Sequence, residues 1–587
     1  MNRLLQLLVI LTAAFICFAY AEEEKYKIKT INFHGNRKFT ETSLKHLMVS
    51  RPAKVFPRYY YPELLKDDLD NVMLFYQNRG YLQARIIESK ISTDSANKCI
   101  HIHTILEEGE CTIIGLVEFS GNRVFSDSML GIISNIRTEE PLMRPAIQEA
   151  ALKILKNYAD SGYIEASADP VIKLSEKKNE ADVTFVIKEN HRFRVGNINI
   201  KGLSKTCEKV VSRELTFLQG EIIVYSKLLE SQRRLYLTGL FQSVFIRPLK
   251  AADSLSMQKD ILIEVMESKS IDLNASLGYS TAEKARAKTM IANTNIMGTA
   301  RKAAFKCGIS FIRQGAEISF TEPYTLGSQW RTDINLLFEY GIEPGYDIRR
   351  IGGGTVLGRK LSRNTTFSFI YREELNRLAR IRAVVDTMDS TGHLRSITQS
   401  VLYDSRNNIF NTTRGLYAQA DLELAGIILG GTNDFIRSTG TIKYFYPLGE
   451  KTSVGSGLES GLIKGTLHLN ERFYAGGQSS LRGFEYRMVG PLDINGVPLG
   501  GKIKIIFNLL EVRRIIYKTL GMAVFIDAGN VWYNIKDIRI MNLRWCYGIG
   551  PRINTPIGII RADLGMNPAP RNKESRWQFY FSIGQAF

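Results

Sequence analysis

The sequence ends Trp577-Gln578-Phe579-Tyr580-Phe581-Ser582-Ile583-Gly584-Gln585-Ala586-Phe587. In an extended strand Trp577, Phe579, Phe581, Ile583 and Phe587 share one face, and Gln578, Tyr580, Ser582, Gly584 and Ala586 the other. Apolar against small-and-polar is what a strand needs when lipid lies on one side and a lumen on the other. The same alternation sets Met522, Val524 and Ile526 against Gly521, Ala523, Phe525 and Asp527, and less cleanly Phe367, Phe369 and Tyr371 against Thr366, Ser368 and Ile370. From about residue 271 helical stripes vanish, and short alternating runs punctuated by Gly, Asn, Asp and Pro continue to the end. Shared among strands of about 10 residues, this stretch predicts an antiparallel transmembrane barrel of roughly sixteen strands over 271–587.

The chain before it is of another kind. At 587 residues, with 44% hydrophobic and 23% charged residues, the protein is too long for one core and is neither disordered nor collagenous. Its net charge of +18 favours anionic partners. Arg3, the apolar run Leu4 to Phe18 and Ala19-Tyr20-Ala21 predict an export signal over residues 1–21. That run falls short of the roughly twenty apolar residues of a membrane-spanning helix. Ile16 is too bulky before Cys17 for a lipoprotein site. No later stretch is apolar enough to span as a helix, which leaves a barrel as the way to cross a membrane. Cys99, Cys111, Cys207, Cys307 and Cys546 are odd in number and dispersed, so no disulfide framework or thiolate metal site is indicated.

Residues 25–270 contain a degenerate repeat. Ile31-Asn32-Phe33-His34-Gly35-Asn36, Val117-Glu118-Phe119-Ser120-Gly121-Asn122 and Ile198-Asn199-Ile200-Lys201-Gly202-Leu203 each read as a strand ending at a glycine turn. A second marker follows each: Tyr76 to Tyr81, Tyr158 to Tyr163 and Tyr236 to Phe241. Between the markers the period becomes helical: Leu65, Leu69, Val72 and Tyr76 in the first unit, Ile147, Ala151, Ile154 and Tyr158 in the second. Strands return at Gln83 to Lys90, His101 to Leu106, Val183 to Lys188 and Ile261 to Met266. The units are predicted at 25–110, 111–191 and 192–270. Each is β-α-α-β-β, a small sheet covered on one face by two helices, with one face and one edge open to an incoming strand.

With these elements on the page, the chain resembles the BamA/TamA superfamily of outer-membrane assembly factors, built from POTRA repeats and a sixteen-stranded barrel. Arg472-Phe473-Tyr474-Ala475-Gly476-Gly477-Gln478-Ser479-Ser480-Leu481-Arg482-Gly483-Phe484 is similar to the family's lumenal loop motif. Further similar pieces are Asn293 to Gly298, Phe320 to Tyr324, Asp404-Ser405-Arg406 before Arg414-Gly415, Phe525 to Trp532, Thr555 to Gly558 and the terminal Phe587. Three repeats resemble the TamA type better than the BamA type, which usually carries five, or the two-partner secretion pores, which carry two.

The resemblance implies an outer-membrane insertase for β-barrel proteins or autotransporters, with the repeats in the periplasm and, for the TamA type, a TamB-like inner-membrane-anchored partner. It implies no enzyme activity and no cofactor. It also implies that Arg482, in the loop with Gly476, Gly477, Leu481, Gly483 and Phe484, pairs with Asp527 and Glu511. The parity of Asp527 with Gly521 and Ala523 points it inward. Glu511 shares parity with Ile503, Ile505, Phe507 and Leu509, so it points inward only if a bulge near Ile505 to Phe507 shifts the phase. The closing seam is predicted between Asp272 to Tyr279 and Trp577 to Phe587, where Gly278 and Gly584 weaken packing.

Other constellations carry less. Cys99, His101 and His103 share a strand face but have no fourth ligand in view, and Gly352-Gly353-Gly354 lacks the Lys-Ser/Thr of a phosphate loop. Arg349, Arg350, Arg359 and Lys360 read as a lipid-headgroup or loop face, not a nucleic-acid site. Two other classes stay open: a two-partner-type secretion pore, and an outer-membrane hydrolase using a lumenal acid or His468.

Overall fold

The computed structural model describes residues 26–52, 58–175, 179–249, 257–384, 390–409, 411–555, 558–571 and 574–583. The predicted export signal, Gly584 and Phe587 lie outside them. Residues up to Lys201, with Leu215–Arg233 and Phe245–Glu264, form one compact unit; Gly202–Glu214, Arg234–Val244 and Val265 onward form the other.

Each repeat opens on a short strand, Lys27–His34, Ile113–Ser120 or Arg194–Lys201, that ends at its marker glycine. Gly35, Gly121 and Gly202 have φ of +91°, +83° and +93°. A Cβ at any of them would overlap a carbonyl oxygen of the repeat's last strand, on Leu106, Ile187 and Val265 respectively. Left-handed backbone and close approach together require glycine. Next come a short helix (Glu41–Leu47, Asp127–Ser134, Glu208–Ser212) and a longer one (Pro62–Gln77, Arg144–Asp160, Tyr225–Leu237). The longer helices bury the predicted stripes: Leu65, Val72 and Tyr76 in one, Ile147, Ala151, Ile154 and Tyr158 in the next.

The last strand, Cys99–Glu107, Glu180–Lys188 or Gln258–Glu267, is the middle one of each three-stranded sheet. It runs parallel to the first strand. Both outer strands are therefore edges, where the sequence pattern suggested one. The patterning also missed two of those edges, Ser167–Leu174 and Phe241–Pro248. In Ser167–Leu174, Asp169 and Pro170 interrupt the alternation, and a proline is tolerated because the strand has a side without a ladder partner.

A carboxylate ties each glycine turn to that middle strand. Glu108 accepts the Lys38 N–H at 2.9 Å and the Tyr76 hydroxyl at 2.9 Å. Glu189 accepts the N–H groups of Arg123 and Val124, at 2.6 and 2.8 Å, and the Tyr158 hydroxyl at 2.8 Å. In the third repeat Tyr236 is exposed, and Glu267 takes instead the Ser204 hydroxyl at 2.6 Å and the Thr206 N–H at 2.8 Å. Burial pushes the Glu267 carboxyl up, but the donors from Ser204 and Thr206 outweigh it and bring the group down to about 2.

The second unit is built on a closed barrel of sixteen antiparallel strands in sequence order, from Ile271–Ser280 to Trp577–Ile583. Two of its turns hold the Gly202–Glu214 segment, which belongs to the same unit. Cys207 N–H donates to the Gly298 carbonyl at 2.8 Å and the Asn295 amide to the Thr206 hydroxyl at 2.9 Å. Tyr324 donates its hydroxyl to Glu214 at 2.7 Å, under the Arg213 guanidinium.

The Glu267 tie predicts its own pH dependence. Its folded value is depressed, so its contribution is complete above the ordinary glutamate value of about 4.3 and drains away as pH falls toward 2. Glu267→Gln should raise amide exchange at Ser204 to Thr206 at pH 7, at a cost of about 1 kcal/mol because the turn faces solvent. At the acid end variant and wild type should converge, as hydrogen exchange of the full chain would report.

Candidate functional site

The site is the loop between the eleventh barrel strand, Thr452–Thr466, and the twelfth, Ile503–Tyr517. Its central turn is formed by Gly476 and Gly477, both left-handed at φ +105° and +104°. The Gly477 N–H donates to the Phe484 carbonyl at 2.9 Å, and the Gly476 N–H to the Ser480 hydroxyl at 2.9 Å. Leu481 and Phe484 bury themselves among Ile506, Val531 and Cys546 from the wall. A Cβ on Gly483 would overlap that of Cys546. Across from it, one on Gly565 would overlap the Arg482 carbonyl. Two glycines thus let the loop backbone lie against the barrel.

That contact delivers the Arg482 guanidinium to its partners. Nε and Nη2 donate to the two oxygens of Asp527, each at 2.7 Å, and Nη1 donates to Glu511. The guanidinium carbon lies 3.6 Å from the centre of the Phe525 ring. Asn508 donates to Asp527 at 2.9 Å and Arg513 to Glu511 at 2.5 Å. Asp527 is 0% exposed. A bidentate pair with a second carboxylate is the arrangement that makes a buried guanidinium tolerable; with one partner removed, the other charges would be stranded at a cost of several kcal/mol.

Glu511 faces inward because of a bulge, which lies at Asn508–Leu510, a little beyond the predicted Ile505–Phe507. Asn508 pairs with Asp527 but Leu510 with Ile526, and the register to the preceding strand slips at the same place. Consecutive Leu509 and Leu510 both face out, 39% and 40% exposed, and the phase after them is reversed.

The loop also touches the final strand. Tyr580 donates its hydroxyl to the Phe484 carbonyl, and Gln478 donates to the Ser582 hydroxyl at 3.2 Å. That strand pairs with the first at Tyr279 with Ile583 and Ser280 with Ser582, Ile583 being its last described residue. Thr281 extends the contact, its N–H donating to the Phe581 carbonyl at 3.0 Å. Beyond it, Leu273 is 70% and Leu277 84% exposed. At Gly278 a Cβ would come within 3.1 Å of the Ile583 carbonyl oxygen, so this glycine admits the last strand's backbone.

Two family models match the chain in this architecture: an Omp85 superfamily domain over residues 295–587, and the surface antigen variable number repeat, or POTRA, over 26–109 and 112–190. The chain belongs to the Omp85 superfamily. The outer membrane protein assembly factor BamA of Nitratidesulfovibrio vulgaris is 24% identical over 604 residues, covering 96% of this chain and 74% of that protein. BamA of Neorickettsia risticii is 22% identical over 576 residues, covering 92% and 75%. The mouse sorting and assembly machinery component 50 homolog is 25% identical over 365 residues, covering 58% and 74%. The barrel with its repeats also resembles the crystal structure of Haemophilus ducreyi BamA lacking POTRA domains 1–3, with a TM-score of 0.67 at 17% identity, covering 81% of this chain and all of that one. As an Omp85 protein it sits in the outer membrane with its POTRA domains in the periplasm.

Sequence reasoning missed some of the polar groups that hold the loop. Arg487 contacts Glu343 at 3.2 Å, donates to the Tyr346 hydroxyl at 3.1 Å and lies over the Tyr474 ring. Both Arg487 and Glu343 fall where no alternation marks a face. Cys99, His101 and His103 form no metal cluster; His101 instead hydrogen-bonds Thr30 at 2.7 Å, and no metal-holding group occurs among the described residues.

Arg482→Ala should leave a folded, heat-modifiable barrel in which the loop is open to protease, because Asp527 and Glu511 lose the cation between them. The loss of stability should be about 3–5 kcal/mol. Asp527→Asn in that background should recover part of it, as read by urea titration in detergent.

Proposed function

We propose that this protein inserts β-barrel proteins, autotransporters among them, into the outer membrane by offering a strand edge at its seam. The carrying observation is that the last strand is tied at Tyr580 and Ser582 to the same loop that Arg482 holds, so the seam and the loop are coupled. An edge with unpaired N–H and C=O groups is costly in lipid, and a substrate strand that adds to it satisfies both sides at once. No nucleotide is needed, since each strand added lowers the free energy, and no bond is made or broken. Relatives named as assembly factors support the reading.

The POTRA domains are read as the receivers of unfolded substrate. In the second, the edge strand and the short helix enclose a groove of about 500 Å³ lined by Val117, Phe119, Ser120, Asp127, Gly131 and Ile136. An extended peptide could add beside this edge strand. The site residues take their roles here: Arg482 with Asp527 and Glu511 holds the loop, the glycines of the loop allow its approach, and Gly278 belongs to the gate, to which the sequence also assigns Gly584 and Phe587. Three repeats favour a TamA-type member with a TamB-like partner anchored in the inner membrane. A second reading, a secretion pore, would need the loop to leave the lumen, which the buried Arg482 pairs oppose.

Tyr279→Cys with Ile583→Cys, in a background without the native cysteines, should form a disulfide across the seam. The oxidised protein should lose insertion of a purified unfolded barrel substrate in proteoliposomes and regain it on reduction; full activity while locked would refute seam opening.

A further inference from the structure

The loop is held at a second place that the Arg482 pairs do not explain. Just after the eleventh strand, Glu471 is buried against the wall on the other side of the barrel sequence. Arg437 in strand Asp434–Pro447 donates to Glu471 Oε2 at 2.9 Å and to its backbone carbonyl at 2.6 Å. Arg372 in strand Thr365–Ala379 donates to the same Oε2 at 3.3 Å. Both guanidiniums also bind Glu423 in strand Gly415–Ala425, Arg372 at 2.7 Å and Arg437 at 3.0 Å. Asn470 donates to the remaining oxygen, Oε1, at 3.0 Å. Arg437 further lies over the rings of Phe435 and Phe473.

Two arginines from the wall thus face two glutamates, and only one glutamate, Glu471, belongs to the loop. Removing the loop would leave two guanidiniums with the Glu423 carboxylate and a fainter contact to Glu374 at 3.7 Å. Keeping Glu471 in place balances the cluster, so the wall itself favours a docked loop root. The strands involved are the seventh, ninth and tenth; the Arg482 partners are on the twelfth and thirteenth. No residue is shared between the clusters.

We propose that Glu471 is a positioning residue that fixes the root of the loop independently of Arg482, so that the loop tip can leave Asp527 and the last strand while the root stays docked. Resting on the insertion reading, this makes seam opening a pivot about residues 469–473 rather than expulsion of the whole loop. It also leaves the lumen obstructed during insertion.

Hydrogen exchange of the full chain in nanodiscs separates the two clasps without depending on assembly activity. The root is reported by peptides containing Glu471 to Phe473, whose amides bond His468, Leu469 and Gly501; the tip is reported by Gly477 and Phe484, which bond across the turn. E471Q should raise exchange in the root on the order of a hundredfold and leave the tip protected. Arg482→Ala should do the converse, and the double variant should show both changes undiminished. E423Q removes a wall carboxylate from the same guanidiniums and should leave the root at wild-type protection, since Glu471 then has both to itself. Should E471Q not give a heat-modifiable barrel, E471D carries the same test with a smaller root effect. Release of root and tip together by either single variant, or loosening of the root by E423Q as large as that by E471Q, would overturn the proposal. Failure of insertion in an otherwise normal wild-type exchange pattern would count against the insertion reading alone.

Discussion

Inside a bilayer every backbone N–H and C=O must find a partner within the protein, and the rest of this structure follows from the closed ring of strands that meets this demand. The fifteen interfaces between consecutive barrel strands are ladders of six or more register pairs. The ring closes between the first and last strands, at Tyr279 with Ile583 and Ser280 with Ser582 among the described residues. Around this closure Gly278 admits the last strand's backbone, and Tyr580 and Ser582 are tied to the loop.

Electrostatics then decides where the loop lies. A surface ion pair contributes about 0–1 kcal/mol, whereas a buried charge deprived of its partner costs several. Arg482 and Glu471 are of the second kind, each facing opposite charge on the wall, and part-buried Arg487 does the same for the buried Glu343. The loop is therefore held by what its departure would strand more than by what its presence gains. The pairs do not read sequence or reactivity in a substrate, which suits a protein whose proposed clients share only the ability to form strands.

Much of this was legible beforehand, for physical reasons. Gly35, Gly121 and Gly202 stood out because each sits where a Cβ would strike a carbonyl, and Asp527 because its strand alternates without interruption. Glu511 was legible only conditionally: a bulge changes the phase of everything after it, and nothing in Phe507-Asn508-Leu509-Leu510 marks its position. The carboxylates at Glu108, Glu189 and Glu267 were readable in principle. Each lies two residues beyond the apolar residue whose carbonyl meets the glycine, in Leu106-Glu107-Glu108, Ile187-Lys188-Glu189 and Val265-Met266-Glu267. Glu471 was not, because its arginine partners come from two strands distant in sequence and its own segment has no period.

Templating at the seam and passage through the lumen differ in which surface the substrate touches. Photo-crosslinking amino acids placed at Leu273 and Leu277 on the first strand, and at Thr398 and Thr439 on the lumenal wall, would be irradiated while a slowly folding outer-membrane protein is being assembled. The account predicts adducts at Leu273 and Leu277 and none at Thr398 or Thr439. Adducts confined to the lumenal positions would contradict it.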